Sequence, residues 1–143
     1  MEKSIMDLMA GVKETWELPD VDVRTYSPLV LAYIGDAVYE VVVRSILVGR
    51  GNAQANRLHK EASNLVNAGA QSASLERIRE ELTEEEMQVF KRGRNANSAT
   101  MAKHATMSDY RRATGFEALM GYLYLTGRTE RILELAKKGL EED

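Results

Sequence analysis

The sequence predicts an all-α fold, a helical bundle formed by a single domain over residues 1–143. Both prolines lie in the first thirty residues, so nothing after Pro28 prevents helix formation. Apolar residues recur at intervals of three and four, as in helices, and do not alternate as they do in strands. With 143 residues, of which 44% are hydrophobic, the chain is long enough to bury a core.

Prolines and glycines delimit the first two predicted helices. A short helix over about 4–15 is followed by a loop that contains the first proline. Ser27 is a favourable N-cap and Pro28 suits the first helical position, so a second helix begins there. That helix is expected over 28–47, because the glycines of the segment 49–51 end it.

Capping residues predict four of the five later helices, and the helix over 71–81 is predicted without a cap. Asn52, Ser108 and Thr129 are each placed to cap a helix. Thr83 and Glu86 form the two ends of a capping box. The helices are therefore predicted over about 52–67, 71–81, 83–92, 108–124 and 129–140, with an exposed loop over 95–108.

The composition excludes several classes of function. Without cysteine the chain has no disulfide, no thiolate zinc site and no cysteine nucleophile. Its two histidines, His59 and His104, are too few for a self-contained histidine metal site. Charges near the N-terminus argue against a signal peptide, and no uncharged apolar stretch is long enough to span a bilayer. We therefore expect a cytoplasmic protein with no membrane partner.

Two acidic motifs, at 31–40 and 114–121, lie inside apolar runs of the sequence. Each contains a carboxylate, Asp36 or Glu117, among residues that are expected to be buried. Burial of an ionised carboxylate is costly unless a positive partner compensates it. The simplest partner for two such acids is a divalent cation such as Mg²⁺ or Mn²⁺. If the two helices cross at these motifs, both carboxylates can bind the same ion.

Purely structural interpretations of these acids stay open at this point. Glu40 and Arg44 have the spacing of an ordinary helical ion pair. Asp36 can be a hydrogen-bonded polar group at a helix crossing, and Glu117 can pair with one of the arginines of 111–112.

Charge is distributed unevenly along the chain, although the net charge is only −3. An acidic segment over 76–86 precedes a basic segment over 91–112, in which Asp109 is the only acid. Local asymmetry of this kind, and not the net charge, determines whether a surface can face phosphates. A solvated basic loop is the plainer interpretation of the same residues. The acidic run 84–86 is interpreted as a solvated first helical turn.

The two acidic motifs, in this order and with a helical chain between them, resemble the ribonuclease III catalytic domain. The likeness is greatest to the short Mini-ribonuclease III family, which has no double-stranded RNA-binding domain. It extends from about Pro28 to Leu125, and its most specific parts are 31–40, 92–96 and 114–124. The resemblance implies a homodimeric, Mg²⁺-dependent endoribonuclease that hydrolyses double-stranded RNA, with the precursor of 23S ribosomal RNA as substrate.

The resemblance assigns catalytic and metal-binding roles to two residues. Asp36 matches the aspartate of the family's signature helix, and Glu117 matches the essential glutamate of its second motif. Ala32 and Thr114 stand where ordinary ribonuclease III has two further acids, so half of the usual quartet remains. Glu40 is a candidate for an additional carboxylate beside the ligands.

For RNA binding, the resemblance directs attention to the basic segment. Arg111 and Arg112 are weaker candidates, because they can pair with acids. Without a separate RNA-binding domain we expect weak binding of bare duplex, and a helper such as a ribosomal protein. The alternatives are a non-catalytic helical dimer that binds structured RNA and a metal-independent ribonuclease that uses the two histidines. The residues expected to contact phosphates are Lys91, Arg92, Arg94, Asn95 and Lys103.

Overall fold

The structure, a computed structural model, describes residues 5–96 and 106–141, with side chains from residue 8 onward. All regular secondary structure in this part of the chain is helical, which confirms the predicted all-α class. None of the helices found there is both long and apolar enough to cross a membrane. The helices are α1 (Ile5–Thr15), α2 (Pro28–Gly49), α3 (Ala55–Val66), α4 (Ala68–Ile78), α5 (Glu84–Arg94), α6 (Met107–Leu125) and α7 (Thr129–Leu140), with short 3-10 helices at Val23–Thr25 and Arg79–Glu81.

Helix α6 lies at the centre of the bundle and packs against α2, α4, α5 and α7. Its side chains Phe116, Leu119 and Leu123 are completely buried. The ring of Tyr39 from α2 meets the ring of Phe116 edge-on, with 4.9 Å between centroids. The core therefore surrounds the helix that carries the second acidic motif.

The capping chemistry expected for α2 and α5 is present. The hydroxyl of Ser27 accepts a hydrogen bond from the Leu29 amide, with Pro28 in the first turn. Thr83 and Glu86 form the predicted capping box, in which each side chain accepts a hydrogen bond from the other residue's amide. Local sequence is sufficient at these two helix starts because the cap needs only neighbouring residues.

Two predicted helix starts are wrong because an earlier residue caps the helix. Asn67 accepts a hydrogen bond from the Ala70 amide, so α4 begins at Ala68 and not at residue 71. Thr106, and not Ser108, caps α6 by accepting a hydrogen bond from the Asp109 amide. Where two cap-forming residues lie close together, the packing of the helix determines which one is used.

The predicted caps of α3 and α7 are also wrong. Helix α3 begins after Gln54, which makes no side-chain cap, and not after Asn52. Arg128 precedes α7, and Thr129 is its first helical residue. Both helices bury an apolar face, so tertiary packing stabilises them without a side-chain cap.

The interpretation of the acidic run 84–86 as a solvated turn is wrong for one residue. Glu86 is only 2% exposed and receives two hydrogen bonds from the Arg131 guanidinium, both of 2.8 Å. The ion pair joins α5 to α7. A carboxylate can be buried here because a charged partner comes from a distant helix.

Candidate active site

The close crossing of α2 and α6 depends on two glycines. A Cβ atom on Gly35 would lie 1.7 Å from the carbonyl oxygen of Glu117, and one on Gly121 would lie 1.9 Å from the carbonyl oxygen of Leu31. Since atoms cannot approach so closely, any side chain at either position would push the helices apart. Asp36 directly follows the first of these glycines, and it therefore lies beside Glu117.

The side chains of Asp36 and Glu117 lie close together at this crossing. Glu117 is half-buried, and Asp36 is exposed. Burial, followed by the negative charge of Asp36, raises the pKa of Glu117 to about 8. The charge of Glu40 adds to this rise, whereas a hydrogen bond from Gln71 opposes it. The raised pKa therefore favours the protonated form of Glu117 near neutral pH where no cation is bound.

The donor set of the acid pair fits a hard divalent cation. In the part of the chain that the structure describes, no lysine or arginine forms an ion pair with Asp36 or Glu117. The proposed pairing of Glu117 with an arginine of 111–112 is absent, and Arg112 instead lies 3.8 Å from Glu76. Mg²⁺ and Mn²⁺ prefer carboxylate oxygens as ligands, and these oxygens are available when no cationic side chain is paired with them.

Among the described residues, no third acidic side chain joins Asp36 and Glu117 as a potential metal ligand. Within residues 5–96 and 106–141, no group of three or more acidic or histidine side chains is arranged to hold a metal. Ala32 is buried in the core, and the Thr114 hydroxyl donates a hydrogen bond to the Tyr110 carbonyl. A cation held by Asp36 and Glu117 would therefore take its remaining ligands from water or substrate.

Glu40 lies one helical turn beyond Asp36 on α2. Its carboxylate accepts a hydrogen bond of 2.9 Å from Nε of Arg44, so the ordinary helical ion pair is present. The charge of Glu40 nevertheless acts on the pKa of Glu117. Its position near the acid pair agrees with the prediction of an additional carboxylate beside the metal ligands. Its pairing with Arg44 shows that it also forms an ion pair within α2.

Sequence reasoning missed Gln71, whose amide nitrogen donates to Oε2 of Glu117 over 3.4 Å. This side chain is 1% exposed and lies in the first turn of α4. One signal was available, because Gln71 is four residues before the buried Leu75 and seven before the buried Ile78. A polar side chain on the apolar face of a helix needs a partner inside the protein.

The basic candidates on α5 are at its C-terminal end. Lys91 and Arg92 are exposed, and Arg92 donates to the Tyr26 carbonyl over 3.2 Å. The guanidinium of Arg94 lies 5.6 Å from the centre of the Phe90 ring. Arg94 also donates to the side chain of Asn95, which caps α5. Cations at a helix C-terminus interact favourably with its dipole, so part of this charge pattern is structural.

This basic end is fixed close to the acidic helix by Gly93. A Cβ atom there would lie 2.8 Å from both the Ala118 side chain and the Gly115 backbone, which brings α5 against α6 at the level of Glu117. Lys103 and His104 lie outside the described residues. His59 is exposed on α3, and the structure leaves the proposed histidine pair untested.

Comparison with known proteins identifies a family and several relatives. The Ribonuclease III domain family matches residues 29–128. A Mini-ribonuclease 3 of a Thermoanaerobacter species is 48% identical, over 99% of this chain and 100% of that protein. The Mini-ribonuclease 3 of Clostridium tetani is 48% identical, over 85% of this chain and 81% of that protein. That of Brevibacillus brevis is 50% identical, over 82% and 87% respectively.

A solved structure has the same fold. A crystal structure of a protein from Fusobacterium nucleatum matches with a TM-score of 0.75 and 32% sequence identity, over 82% of this chain and 94% of that one. Residues 29–128, which the family model matches, contain the α2–α6 crossing and both acids. The chain therefore belongs to the ribonuclease III domain family and, within it, to the Mini-ribonuclease 3 proteins.

Proposed function

We propose that this chain is an Mg²⁺-dependent endoribonuclease that hydrolyses phosphodiester bonds in double-stranded RNA, with Asp36 and Glu117 as its metal ligands. Its family makes it a hydrolytic endoribonuclease. The observation that carries the metal assignment is that two carboxyl groups lie together at a crossing that only glycines permit, with no lysine or arginine of the described residues paired to them. Mn²⁺ has the same preference for oxygen ligands and should substitute.

The protein's own residues position the reaction. Gly35 and Gly121 allow the two helices to lie at contact distance, and Asp36 and Glu117, close together at this crossing, would supply carboxylate oxygens to the ion. Magnesium supplies a water of lowered pKa and positive charge for the developing phosphate charge. The sequence contains no cysteine nucleophile, and the proposal requires no side-chain nucleophile.

The C-terminal end of α5 is the proposed phosphate-contacting surface. Double-stranded RNA is recognised mainly by shape and by phosphate and 2′-hydroxyl contacts, which Lys91 and Arg92 are exposed to make. Changing both to Ala should lower the salt dependence of duplex binding by roughly 2 in the logarithmic slope. The control changes Arg57 and Lys60 to Ala on α3, with the same loss of charge. Equal effects in the two variants would contradict the assignment.

A homodimer is supported by an exposed apolar stripe on α2, formed by Val30, Tyr33, Val41 and Val48. The Tyr33 ring is 81% exposed and lies one turn before Asp36, so a partner on this stripe would bring two acid pairs close together. Sedimentation should show a dimer that Tyr33→Glu dissociates. Met107→Glu, at another exposed apolar position, should remain dimeric, and a monomeric wild type would contradict the proposal.

The natural substrate we propose is the precursor of 23S ribosomal RNA, in the cytoplasm. This part of the proposal comes from the family resemblance. The three basic residues at the end of α5 would give only modest affinity for bare duplex, so we propose a ribosomal protein bound to the precursor as a helper. Cleavage of the precursor that is unchanged by added ribosomal proteins would argue against the helper.

The test of the main proposal is cleavage of a long double-stranded RNA by the wild type, Asp36→Asn and Glu117→Gln. Each is incubated with Mg²⁺ and with EDTA, and single-stranded RNA serves as a second substrate. We expect the wild type to cut only the duplex and only with Mg²⁺, and both variants to lose at least about 100-fold in rate. Glu61→Gln, an acid of α3 paired with Arg57, is the matched control and should remain active.

Other outcomes identify the alternatives. Binding without cleavage by all three proteins would indicate a non-catalytic RNA-binding dimer, as the incomplete acidic quartet also allows. Wild-type activity in EDTA would contradict the metal mechanism and favour the histidine pair.

A further inference from the structure

Gln71 is placed in the protein core by the start of α4. Asn67 caps this helix, and the backbone N–H of Gln71 donates to the backbone carbonyl of Asn67 over 2.9 Å. Leu75 and Ile78, on the same face, are completely buried. Because α4 packs against α6 along this face, the long side chain of Gln71 extends to the acid pair.

The amide group of Gln71 is directed at one carboxylate oxygen of Glu117. Its Nε2 atom lies 3.4 Å from Oε2 and donates to it. An ionised carboxylate only accepts hydrogen bonds, so the amide donor occupies Oε2 and leaves Oε1 available for other partners. Among the described residues, Gln71 is the uncharged side chain that forms a hydrogen bond with Glu117.

Among the described residues, the two positions where ordinary ribonuclease III has further acids offer no donor to Glu117. Ala32 has no polar side-chain atom, and the Thr114 hydroxyl is bonded to its own helix. The buried amide, held by two packed helices, is thus the one rigid donor that the described residues offer to this carboxylate.

We propose that Gln71 is a positioning residue that orients the Glu117 carboxylate for metal binding, through the hydrogen bond from Nε2 to Oε2. The inference rests on the proposed function, because it assigns Glu117 as a ligand. Hydrogen bonds that orient a ligand typically change metal affinity or activity by on the order of 10- to 100-fold.

The test replaces Gln71 with Met, which keeps an unbranched side chain of similar length and removes the donor. Binding of Mg²⁺ is followed by the rise in melting temperature without RNA, and cleavage of duplex RNA is measured separately at saturating Mg²⁺. We expect the Mg²⁺ concentration for half-maximal stabilisation to increase on the order of 10-fold, with a similar fall in kcat. A merely structural residue would lower the melting temperature in EDTA and leave the Mg²⁺ requirement unchanged.

Two further variants keep the test decisive. Gln71→Asn retains the amide but shortens the side chain by one methylene, so it should fold and show the same increased Mg²⁺ requirement. Ser72→Ala, at the adjacent buried position of α4, is the matched control and should behave as the wild type. A wild-type Mg²⁺ requirement in Gln71→Asn, or in a folded Gln71→Met, would overturn the proposal.

The two proposals fail in different ways. Absence of cleavage by the wild type would contradict the proposed function, while the Mg²⁺ titrations would still report on Gln71. Wild-type cleavage together with unaltered Gln71 variants would remove the positioning role and leave the endoribonuclease intact.

Discussion

Two glutamates of this protein lie between helices in opposite electrostatic situations. Between α5 and α7, burial by itself raises the pKa of Glu86, but the hydrogen bonds from Arg131 and Thr83 outweigh it and lower that pKa. At the crossing of α2 and α6, burial and the charge of Asp36 both raise the pKa of Glu117. The first carboxylate has its counter-ion within the chain, whereas the second has another acid beside it.

The difference separates a structural acid from the acid to which we assign a function. Glu86 links helices because Arg131 compensates its charge, and the pair needs nothing further. The pair of Asp36 and Glu117 is unfavourable for the protein alone, and under the proposed function a bound cation would compensate it. Perturbed acids with an uncompensated like charge are typical of functional sites.

The largest expected effect comes from Gly35→Ala, which would break the α2–α6 crossing and leave the α5–α7 ion pair in place. The new methyl would overlap the Glu117 backbone, so we expect a loss of about 3 kcal/mol or more in the free energy of unfolding. Separation of the acids should also reduce cleavage at least about 100-fold. Gly49→Ala, in the same helix with open space around it, is the control and should be neutral or slightly stabilising. Wild-type behaviour of Gly35→Ala would contradict the glycine crossing.

The next effect should come from Arg131→Met, which leaves the buried Glu86 without its partner. We expect the free energy of unfolding at pH 7, measured with urea, to fall by about 3 kcal/mol. Because the folded pKa of Glu86 is lowered, the contribution of the pair is full above pH 4.5 and disappears as the pH falls through the folded pKa. The difference from the wild type should therefore shrink in acid.

The control for this variant is Arg57→Met, which breaks the exposed pair with Glu61. Solvent screens that pair, so the expected loss is below about 1 kcal/mol. Equal losses in the free energy of unfolding of the two variants would mean that the buried ion pair of Glu86 stabilises the protein no more than an exposed pair does.

The smallest expected effect is an increase in the free energy of unfolding, whereas the two preceding substitutions lower it. In EDTA at pH 8, Glu117→Gln should stabilise the protein by about 1–2 kcal/mol, because it removes the repulsion between two carboxylates. The folded pKa of Glu117, about 8, is above its unfolded value of 4.5. The stability of the metal-free wild type should therefore decrease as the pH rises between these values, and that of the variant should not.

The addition of Mg²⁺ completes this comparison. It should raise the melting temperature of the wild type at pH 8 and have little effect on Glu117→Gln, whose site has lost a ligand. A variant that is less stable than the metal-free wild type, or that responds equally to Mg²⁺, would contradict the assignment of Glu117.

Local sequence was sufficient for the features that depend on neighbouring residues. The all-α class follows from apolar spacing, and the caps at Ser27 and Thr83 need only residues two or three positions away. The prediction of Asp36 and Glu117 as site residues rests on the presence of a carboxylate within an apolar motif, which is unusual, and on the family resemblance.

Only the tertiary structure decided which distant residues meet. The hydrogen bond from Gln71 to Glu117 and the ion pair of Glu86 with Arg131 both join residues more than forty positions apart. Sequence spacing identifies which residues share the face of one helix, but contacts between helices also depend on their crossing angle and distance. In this protein close-packed glycines set the crossing of α2 and α6, and that crossing places two acids together with no counter-ion from the residues that the structure describes.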